Sequence, residues 1–258
     1  MYPNIPKSSE VKNHIPVSEQ SGIAIARKMI WLDDLKERTA MCDYTIIECS
    51  NHEDWLQMRT YGIGGSDASA IVGLNPYKSN TELFEEKTGR VMPEDISDKP
   101  YVIYGTKAEP FIRELFALDY PQYEVIHNEN RILRSKKYPF MQASLDGELI
   151  DENGRNGVLE IKTSNILQSM QREKWNNRIP DNYYIQVLHY LLVTGYDFAV
   201  LCAHLRSDYG ADRRTTVKHY FIERSEVQDD LNYLLGEEYK FWKYVESGRK
   251  PPLILPEI

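Results

Sequence analysis

The sequence predicts an α/β fold in which a mixed central β-sheet is flanked by helices. Residues 158–163 and 198–205 are short runs rich in apolar and branched side chains, the composition of buried strands. Residues 182–193, between them, repeat apolar side chains at helical spacing and stop just before Gly195. Strands that alternate with helices in this way are typical of a sheet covered by helices.

Size and composition limit the kind of protein this can be. The 258 residues suffice for one large domain, or for one domain with an appendage. The net charge of −8 argues against a protein that coats nucleic acid, although a local basic cluster such as residues 131–137 could line a groove or simply face solvent. No apolar run could span a membrane, the first residues lack the order of a signal peptide, and the three cysteines lack metal-ligand spacing. We therefore expect a cytoplasmic protein with reduced thiols.

The first 50 residues are predicted to form an N-terminal tail and a short appendage. Residues 1–22 contain three prolines and no hydrophobic period, which is typical of a flexible tail. A weak helix pattern covers residues 23–36, and residues 44–48 have the composition of a short strand. Residues 51–258 are predicted to form the main domain.

A glycine-rich loop, residues 62–65, follows the first helix of that domain. It leads into a helix predicted over residues 66–72, with Ser66 as its N-cap. Because the N–H groups at a helix N-terminus are free, the loop could bind an anion that Arg59 also reaches. The same residues could equally form an ordinary capped helix after a flexible turn. A further helix is predicted at residues 79–88.

Residues 104–120 predict the next helix. Its apolar face is formed by Ala108, Ile112, Leu115 and Phe116. Glu109 has two interpretations. Thr106-x-x-Glu109 matches a capping box, and Pro110 would suit the first turn of a helix. Alternatively, Glu109 points inward and supplies a carboxylate to a metal site.

Residues 141–163 contain the strongest chemical pattern. A pair of strands is predicted at residues 126–133 and 140–150, and Asp146 would come off the second strand or its end. Glu160 and Lys162 stand two apart on the strand of residues 158–163, so they share one face of it. Two carboxylates and an ammonium group would then converge on one spot.

This trio is typical of a magnesium-dependent phosphodiesterase. Magnesium prefers carboxylate oxygens, and a lysine beside it can hold the attacking water or neutralise developing charge. The alternative is a surface hairpin with an exposed Glu–Lys pair.

The remaining residues predict helices at 166–176 and 182–193, a strand at 216–222 and a long helix at 225–247 with an S-x-x-Q capping start. In the helix of residues 182–193, Gln186 and Tyr190 are four apart and share one face. Gln186 is polar within an apolar pattern, so it either has a buried partner or lies at a surface edge of the helix.

Six motifs in this order resemble a known family. They are Arg59 with G-I-G-G-S-D ending at Ser66-Asp67, G-L-N-P-Y-K-S, G-T-K-A-E-P at residues 105–110, S-L-D-G at 144–147, L-E-I-K at 159–162 and Q-V-L-H-Y at 186–190. Together they resemble the YqaJ-type viral recombinase family, relatives of the phage lambda-type exonuclease within the PD-(D/E)XK nuclease superfamily. The resemblance covers about residues 55–205.

The resemblance implies roles for particular residues. Asp146, Glu160 and the backbone carbonyl of Ile161 would bind Mg²⁺, or Mn²⁺ in its place. Glu109 would be a helix-borne carboxylate at the same metal. The attacking water would lie beside Lys162, and the site would be supported by Gln186 and Tyr190. A terminal 5′-phosphate would be bound by Arg59 and Ser66.

The activity implied is a metal-dependent exonuclease that digests one strand of duplex DNA from its 5′ end for homologous recombination. The resemblance also implies a ring-shaped trimer around the DNA, a single-strand annealing recombinase as partner, and the bacterial host cytoplasm as location if the gene belongs to a phage or prophage. Two alternatives stay open. One is a structure- or site-specific endonuclease built on the same core, and the other is a DNA-end-binding protein without catalysis.

Overall fold

The computed structural model of the protein describes residues 43–166, 169–209 and 212–254. These residues belong to one unit, Cys42–Ile258. The tail predicted for residues 1–22 and the helix predicted for residues 23–36 lie outside the described residues. None of the helices in the described part of the chain is both long and apolar enough to cross a membrane.

Two sheets are present in this unit. Their strands are β1 (Tyr44–Glu48), β2 (Glu124–Ile126), β3 (Arg131–Ser135), β4 (Gln142–Ala143), β5 (Gly147–Ile150), β6 (Asn156–Asn165), β7 (Phe198–Tyr209) and β8 (Asp212–Glu223). The smaller sheet has the order β1-β3-β4, and the larger has the order β2-β5-β6-β7-β8. In the larger sheet only β6 and β7 are parallel neighbours; the other pairs are antiparallel.

Helices cover the sheets. They are α1 (His52–Arg59), α2 (Gly65–Ile71), α3 (Asn80–Lys87), α4 (Pro100–Asp119), α5 (Ser169–Glu173), α6 (Asp181–Thr194) and α7 (Gln228–Ser247). The parallel connection from β6 to β7 passes through α6, as a crossover must. The predicted α/β class with a mixed sheet flanked by helices is confirmed.

Strand β6 separates two apolar layers through its alternating side chains. Leu159 and Ile161 pack with Ile112 and Phe116 of α4. Val158 packs in the larger core on the other side, which includes the apolar residues of α6. Glu160 and Lys162 share the face of Val158, because side chains two apart point the same way. The hairpin from β5 to β6 places Asp146, just before β5, beside this strand.

The two long strands predicted at residues 126–133 and 140–150 are wrong in extent. Each is split into two short strands that belong to different sheets, since β2 and β5 join the larger sheet while β3 and β4 join the smaller. The first break contains Asn130, whose φ of 54° is left-handed and interrupts an extended strand. Strand β1 pairs with β3, so residues 44–48 belong to the main unit and not to the predicted appendage.

Several predicted helix ends are also wrong. Helix α4 begins at Pro100, so Glu109 and Pro110 lie inside the helix and the predicted capping box at Thr106 does not exist. Leu115, predicted on its apolar face, is 53% exposed.

Two other predicted caps differ as well. The N-cap of helix α2 is Gly64, whose N–H donates to the Asp67 carboxylate at 3.0 Å. Ser66 is the second residue of the helix and not its N-cap. Helix α7 begins at Gln228 after a 3-10 turn, with Val227 at its N-cap and no side-chain capping bond, so the S-x-x-Q start is wrong. Of the helix predicted over residues 166–176, the described residues form the five-residue α5, which ends at Glu173 and so earlier than predicted.

Candidate active site

A cleft of about 630 Å³ opens where α1, α2, α4 and α6 approach the edges of β5 and β6. The sequence-predicted positions that line it are Arg59, Ser66, Glu109, Asp146, Glu160, Ile161, Lys162, Gln186 and Tyr190. The structure thus brings all the predicted site residues to one cavity, although they come from five elements and the loops beside them.

Asp146 is held at three points. Its carboxylate accepts the backbone N–H of Ile161 at 2.7 Å. Its backbone carbonyl accepts hydrogen bonds from Arg113 of α4 and from Nδ1 of His127, the latter at 3.1 Å. The carboxylate is therefore fixed against β6 by contacts that the protein makes itself.

Glu160 is almost fully buried, with 1% of its surface exposed. Its Oε1 atom accepts from the Lys162 ammonium at 2.6 Å and from the side-chain amide of Gln186 at 2.8 Å. Its Oε2 atom is buried and has no hydrogen-bond partner among the described residues. An orphaned carboxylate oxygen is costly in a protein interior, and a cation would satisfy it.

The charges at the base of the cleft reinforce this conclusion. Burial, together with the neighbouring Glu160 and Glu109 carboxylates, raises the pKa of Asp146 well above its ordinary value. Burial also raises the pKa of Glu160, and the Lys162 ammonium only partly opposes it. For Lys162, burial would lower the pKa, but the Glu160 and Asp146 carboxylates outweigh burial and raise it. Lys162 is therefore an ammonium group. Its single positive charge does not fully compensate the two carboxylates beside it, since the pKa of each stays raised.

The residues present fit a magnesium ion. Magnesium is commonly held by one or two carboxylates, with waters and substrate oxygens completing its shell. Asp146, Glu160 and the Ile161 carbonyl offer that donor set, and the unpartnered oxygen of Glu160 supports it.

Glu109 does not join Asp146 and Glu160 in a cluster of three carboxylates among the described residues. Within the described ranges, no three side chains of histidine, cysteine, aspartate or glutamate come together closely enough to hold a metal by themselves. The Oε1 atom of Glu109 instead forms an ion pair with Arg113 at 2.9 Å, one helical turn further along α4.

Helix α6 supplies the polar wall behind Glu160. The amide of Gln186 donates both to Glu160 and to the Tyr190 hydroxyl, the second at 2.9 Å. Of the two interpretations of Gln186, the buried partner is correct, since the residue is only 7% exposed. Burial raises the pKa of Tyr190 well above its ordinary value, so its hydroxyl remains protonated.

Arg59 and Ser66 line the same cleft. The guanidinium of Arg59 stacks over the Trp55 ring, with 4.4 Å between Cζ and the ring centroid. Ser66 stands in the first turn of α2. Trp55 is itself tied to the cleft by a hydrogen bond of 3.2 Å from its indole N–H to the Ser144 hydroxyl.

Sequence reasoning missed several residues of the cleft. Arg113 could have been found, because it lies four residues after Glu109 and so on the same helix face. His127 and Trp55 carry no such signal, since their approach to the site depends on how separate elements pack.

Comparisons with known proteins agree with this fold. The family model described as the YqaJ-like viral recombinase domain matches residues 54–197. The uncharacterized protein YqaJ of Bacillus subtilis (strain 168) is 29% identical over 206 residues, which are 79% of this chain. This chain spans 59% of that relative's length.

Among solved structures, the alkaline exonuclease of Laribacter hongkongensis superposes with a TM-score of 0.56 at 15% identity. That match covers 76% of this chain and 93% of the other. The same exonuclease in complex with dAMP gives a TM-score of 0.54 at the same identity and coverage. At this identity the likeness establishes the fold alone.

Proposed function

We propose, since this chain belongs to the family of YqaJ-like viral recombinase domains, that it is a DNA exonuclease that resects one strand of a duplex from its 5′ end for homologous recombination. The observation that carries the proposal is a single cleft. The buried carboxylate of Glu160, the half-buried carboxylate of Asp146 and the Lys162 ammonium lie at its base, and Arg59 and Ser66 line the same cavity. The likeness in fold to an alkaline exonuclease supports the same reaction class.

Mg²⁺ is the proposed cofactor, with Mn²⁺ as a substitute, held by Asp146, Glu160 and the Ile161 carbonyl. When bound, the metal would polarise the phosphoryl oxygen and lower the pKa of a bound water. Glu109, one helical turn from Arg113, is the further carboxylate proposed to help hold it.

The protein's own residues have distinct tasks in this mechanism. The Lys162 ammonium donates a hydrogen bond to the attacking water or to the charge that develops on the phosphoryl oxygen. Gln186 fixes the carboxylate of Glu160, and Tyr190 fixes Gln186 in turn. The backbone N–H of Ile161 and the donors on the Asp146 carbonyl hold the second carboxylate. These contacts preorganise the site before substrate arrives.

Recognition of the DNA end is proposed for Arg59 and Ser66. A guanidinium and a hydroxyl donate hydrogen bonds that suit phosphate oxygens. A terminal phosphate carries more negative charge than an internal phosphodiester, so this pocket should favour strand ends. Duplex DNA ends are the proposed substrate. A homotrimeric ring, a single-strand annealing recombinase as partner and the host cytoplasm are proposed by family likeness.

The test compares three substrates at one salt concentration, because phosphate contacts depend on salt. Initial rates with Mg²⁺ are measured on linear duplex with 5′-phosphate ends, linear duplex with 5′-hydroxyl ends, and closed circular duplex. We expect fast digestion of the phosphorylated ends, slower digestion of the hydroxyl ends and no cutting of circles. Arg59→Ala should remove most of the difference between the two ends.

Arg155→Ala is the matched control, because Arg155 lies on the β5–β6 turn, pairs with Asp151 of that turn and with Glu223 at the end of β8, and does not line the cleft. It should keep the wild-type preference. Efficient cutting of closed circles would establish the endonuclease alternative instead. Tight binding of ends without cleavage, with Mg²⁺ present, would establish an end-binding protein without catalysis.

A further inference from the structure

We infer that Gln142 of β4 is a positioning residue that sets the spacing between Arg59 and Ser66 and thereby the preference for a 5′-phosphate. The inference rests on the proposed function, since it concerns the same phosphate pocket. Gln142 itself is 2% exposed and does not line the cleft, so it acts through the residues that it holds.

Gln142 ties down both ends of the segment that joins α1 to α2. Its side-chain amide donates to the backbone carbonyl of Arg59 at 2.7 Å. Its backbone N–H donates to the carbonyl of Ile63 at 2.9 Å. The Ile63 N–H in turn donates to the carbonyl of Phe140 at 2.6 Å. The end of α1 and the entry to α2 are thus fastened to one short strand.

The segment between the Arg59 and Ile63 carbonyls packs closely against β4 and the residues before it. A Cβ atom at Gly62 would lie 2.6 Å from the Phe140 carbonyl oxygen and 3.2 Å from the Cδ atom of Gln142. Only a glycine allows the segment to approach the strand this closely. The distance between Arg59 and Ser66 is therefore fixed by the strand beneath them.

The buried pair of His189 and Glu238 supports the backbone carbonyl of Gln142. The Nε2 atom of His189 lies 3.0 Å from the Gln142 backbone carbonyl, and its Nδ1 atom lies 2.8 Å from Oε1 of Glu238. A carbonyl and a carboxylate both accept hydrogen bonds, so both ring nitrogens carry hydrogens when Glu238 is ionised. The side chains of His189 and Glu238 are both 0% exposed.

This support comes from outside the family match. Glu238 belongs to α7, whereas the family model covers residues 54–197. The C-terminal helix thus reaches the phosphate pocket through His189, Gln142 and Arg59 in succession. Loss of the Gln142 side-chain amide should therefore make the position of Arg59 more variable, while the contacts of Asp146 and Glu160 stay in place.

The test uses Gln142→Met, which keeps the length of the side chain and removes the donor to Arg59. Gln57→Met is the matched control, because Gln57 is an exposed residue on α1. For each protein, kcat and KM are measured on 5′-phosphorylated and 5′-hydroxyl duplex. Binding of the same two duplexes is measured by fluorescence anisotropy in EDTA, which reports on the pocket without the reaction.

We expect Gln142→Met to lower the preference for the 5′-phosphate by roughly tenfold. This is the scale of one hydrogen bond to a charged group, here the bond proposed between Arg59 and the phosphate. The loss should appear in KM and in anisotropy with the phosphorylated duplex, whereas kcat should stay near that of the wild type. Glu238→Gln, which keeps the shape of the buried pair, should lower the preference in the same direction.

Three outcomes would overturn the inference. A wild-type preference that survives unchanged in Gln142→Met would overturn it alone and leave the proposed function standing. An equal weakening on both duplexes in Gln142→Met would show a general structural role. Equal rates and equal binding on the two duplexes in the wild type would overturn the proposed function together with the inference.

Discussion

Asp146 and Glu160, the two carboxylates proposed to bind a metal, lower the stability of the folded protein. Glu160 is buried and Asp146 is half-buried beside it, and loss of hydration together with the neighbouring carboxylates raises the pKa of both. A carboxyl whose pKa is raised by folding destabilises the folded state at any pH where the unfolded chain would ionise it. Functional sites commonly trade stability for activity in this way.

Asp146→Asn should therefore abolish cleavage and raise the melting temperature in EDTA. Asparagine keeps an oxygen that can accept the Ile161 N–H and removes a carboxyl group whose ionisation is disfavoured by folding. If Asp146 binds the metal as proposed, its loss should reduce the rate by several orders of magnitude. Melting curves and initial rates at neutral pH check the two parts of this prediction.

Asp151→Asn on the β5–β6 turn is the control with the opposite sign. Although desolvation acts the other way, hydrogen bonds from Arg155 lower the pKa of Asp151. Its ionised form is stabilised by folding, so this variant should melt lower and retain activity. A variant of Asp146 that cleaves at the wild-type rate would refute its proposed role as a metal ligand.

Glu109 separates a structural from a catalytic role. Because it lies inside α4, the change Glu109→Gln removes only a partly exposed ion pair with Arg113, a loss of about 0.3–0.5 kcal/mol of stability. If Glu109 helps to hold the metal, activity should nonetheless fall by about 10–100-fold or more. Unfolding in urea and Mg²⁺ titrations of the rate measure the two effects; wild-type activity would leave Glu109 with the ion pair alone.

At the scale of elements, the site depends on how closely α2 approaches α6. A Cβ atom at Gly65 would lie 2.4 Å from the Tyr190 ring and 2.9 Å from Cγ of Gln186. The two helices are therefore in contact at the residues that hold Glu160, and only a glycine permits this contact. The G-I-G-G-S-D motif thus packs against the residues that orient Glu160, in addition to carrying Ser66 into the cleft.

Gly65→Ala should displace Gln186 and Tyr190 and destabilise the protein by about 1–3 kcal/mol, as overpacking does. Activity should fall because Glu160 loses the donor that orients it. Gly64→Ala is the neighbouring control, since a Cβ atom there would meet only the Asp67 carboxylate at 3.6 Å. Urea unfolding and kinetics of the two variants check the prediction, and equal behaviour of the pair would contradict it.

At the scale of the whole molecule, the His189–Glu238 pair joins the C-terminal helix to the centre of the fold. Burial would lower the pKa of His189, but the Glu238 carboxylate, followed by the hydrogen bond to the Gln142 carbonyl and the charge of Asp67, outweighs burial and raises it above the ordinary value of 6.5. A histidine with a raised pKa stabilises the folded state fully below its unfolded pKa, and this contribution is lost as the pH rises through the folded pKa.

The free energy of unfolding should therefore decrease as the pH is raised above 6.5, the ordinary pKa of a histidine. His189→Gln should weaken this pH dependence and lower stability by about 3 kcal/mol, because it leaves the Glu238 carboxylate buried without a charged partner. Urea unfolding at a series of pH values measures both effects. A slope in His189→Gln equal to that of the wild type would assign the pH dependence to other groups.

The sequence by itself determined the α/β class, the family and the residues at the base of the cleft. Alternation along residues 158–163 places Glu160 and Lys162 on one face of β6 because side chains in a strand repeat every two residues. Helical spacing likewise places Gln186 and Tyr190 on one face of α6. These inferences hold because the backbone period fixes directions within one element.

Only the tertiary structure decided what meets across elements. The donors on the Asp146 carbonyl, the anchoring of Arg59 by Gln142 and the pairing of His189 with Glu238 join residues far apart in the chain. The division of residues 124–150 between two sheets was equally hidden, because short strands carry little pattern and their partners are chosen by packing. Local periodicity gives the direction of a side chain, whereas its partner depends on where the packing of the whole core places the next element.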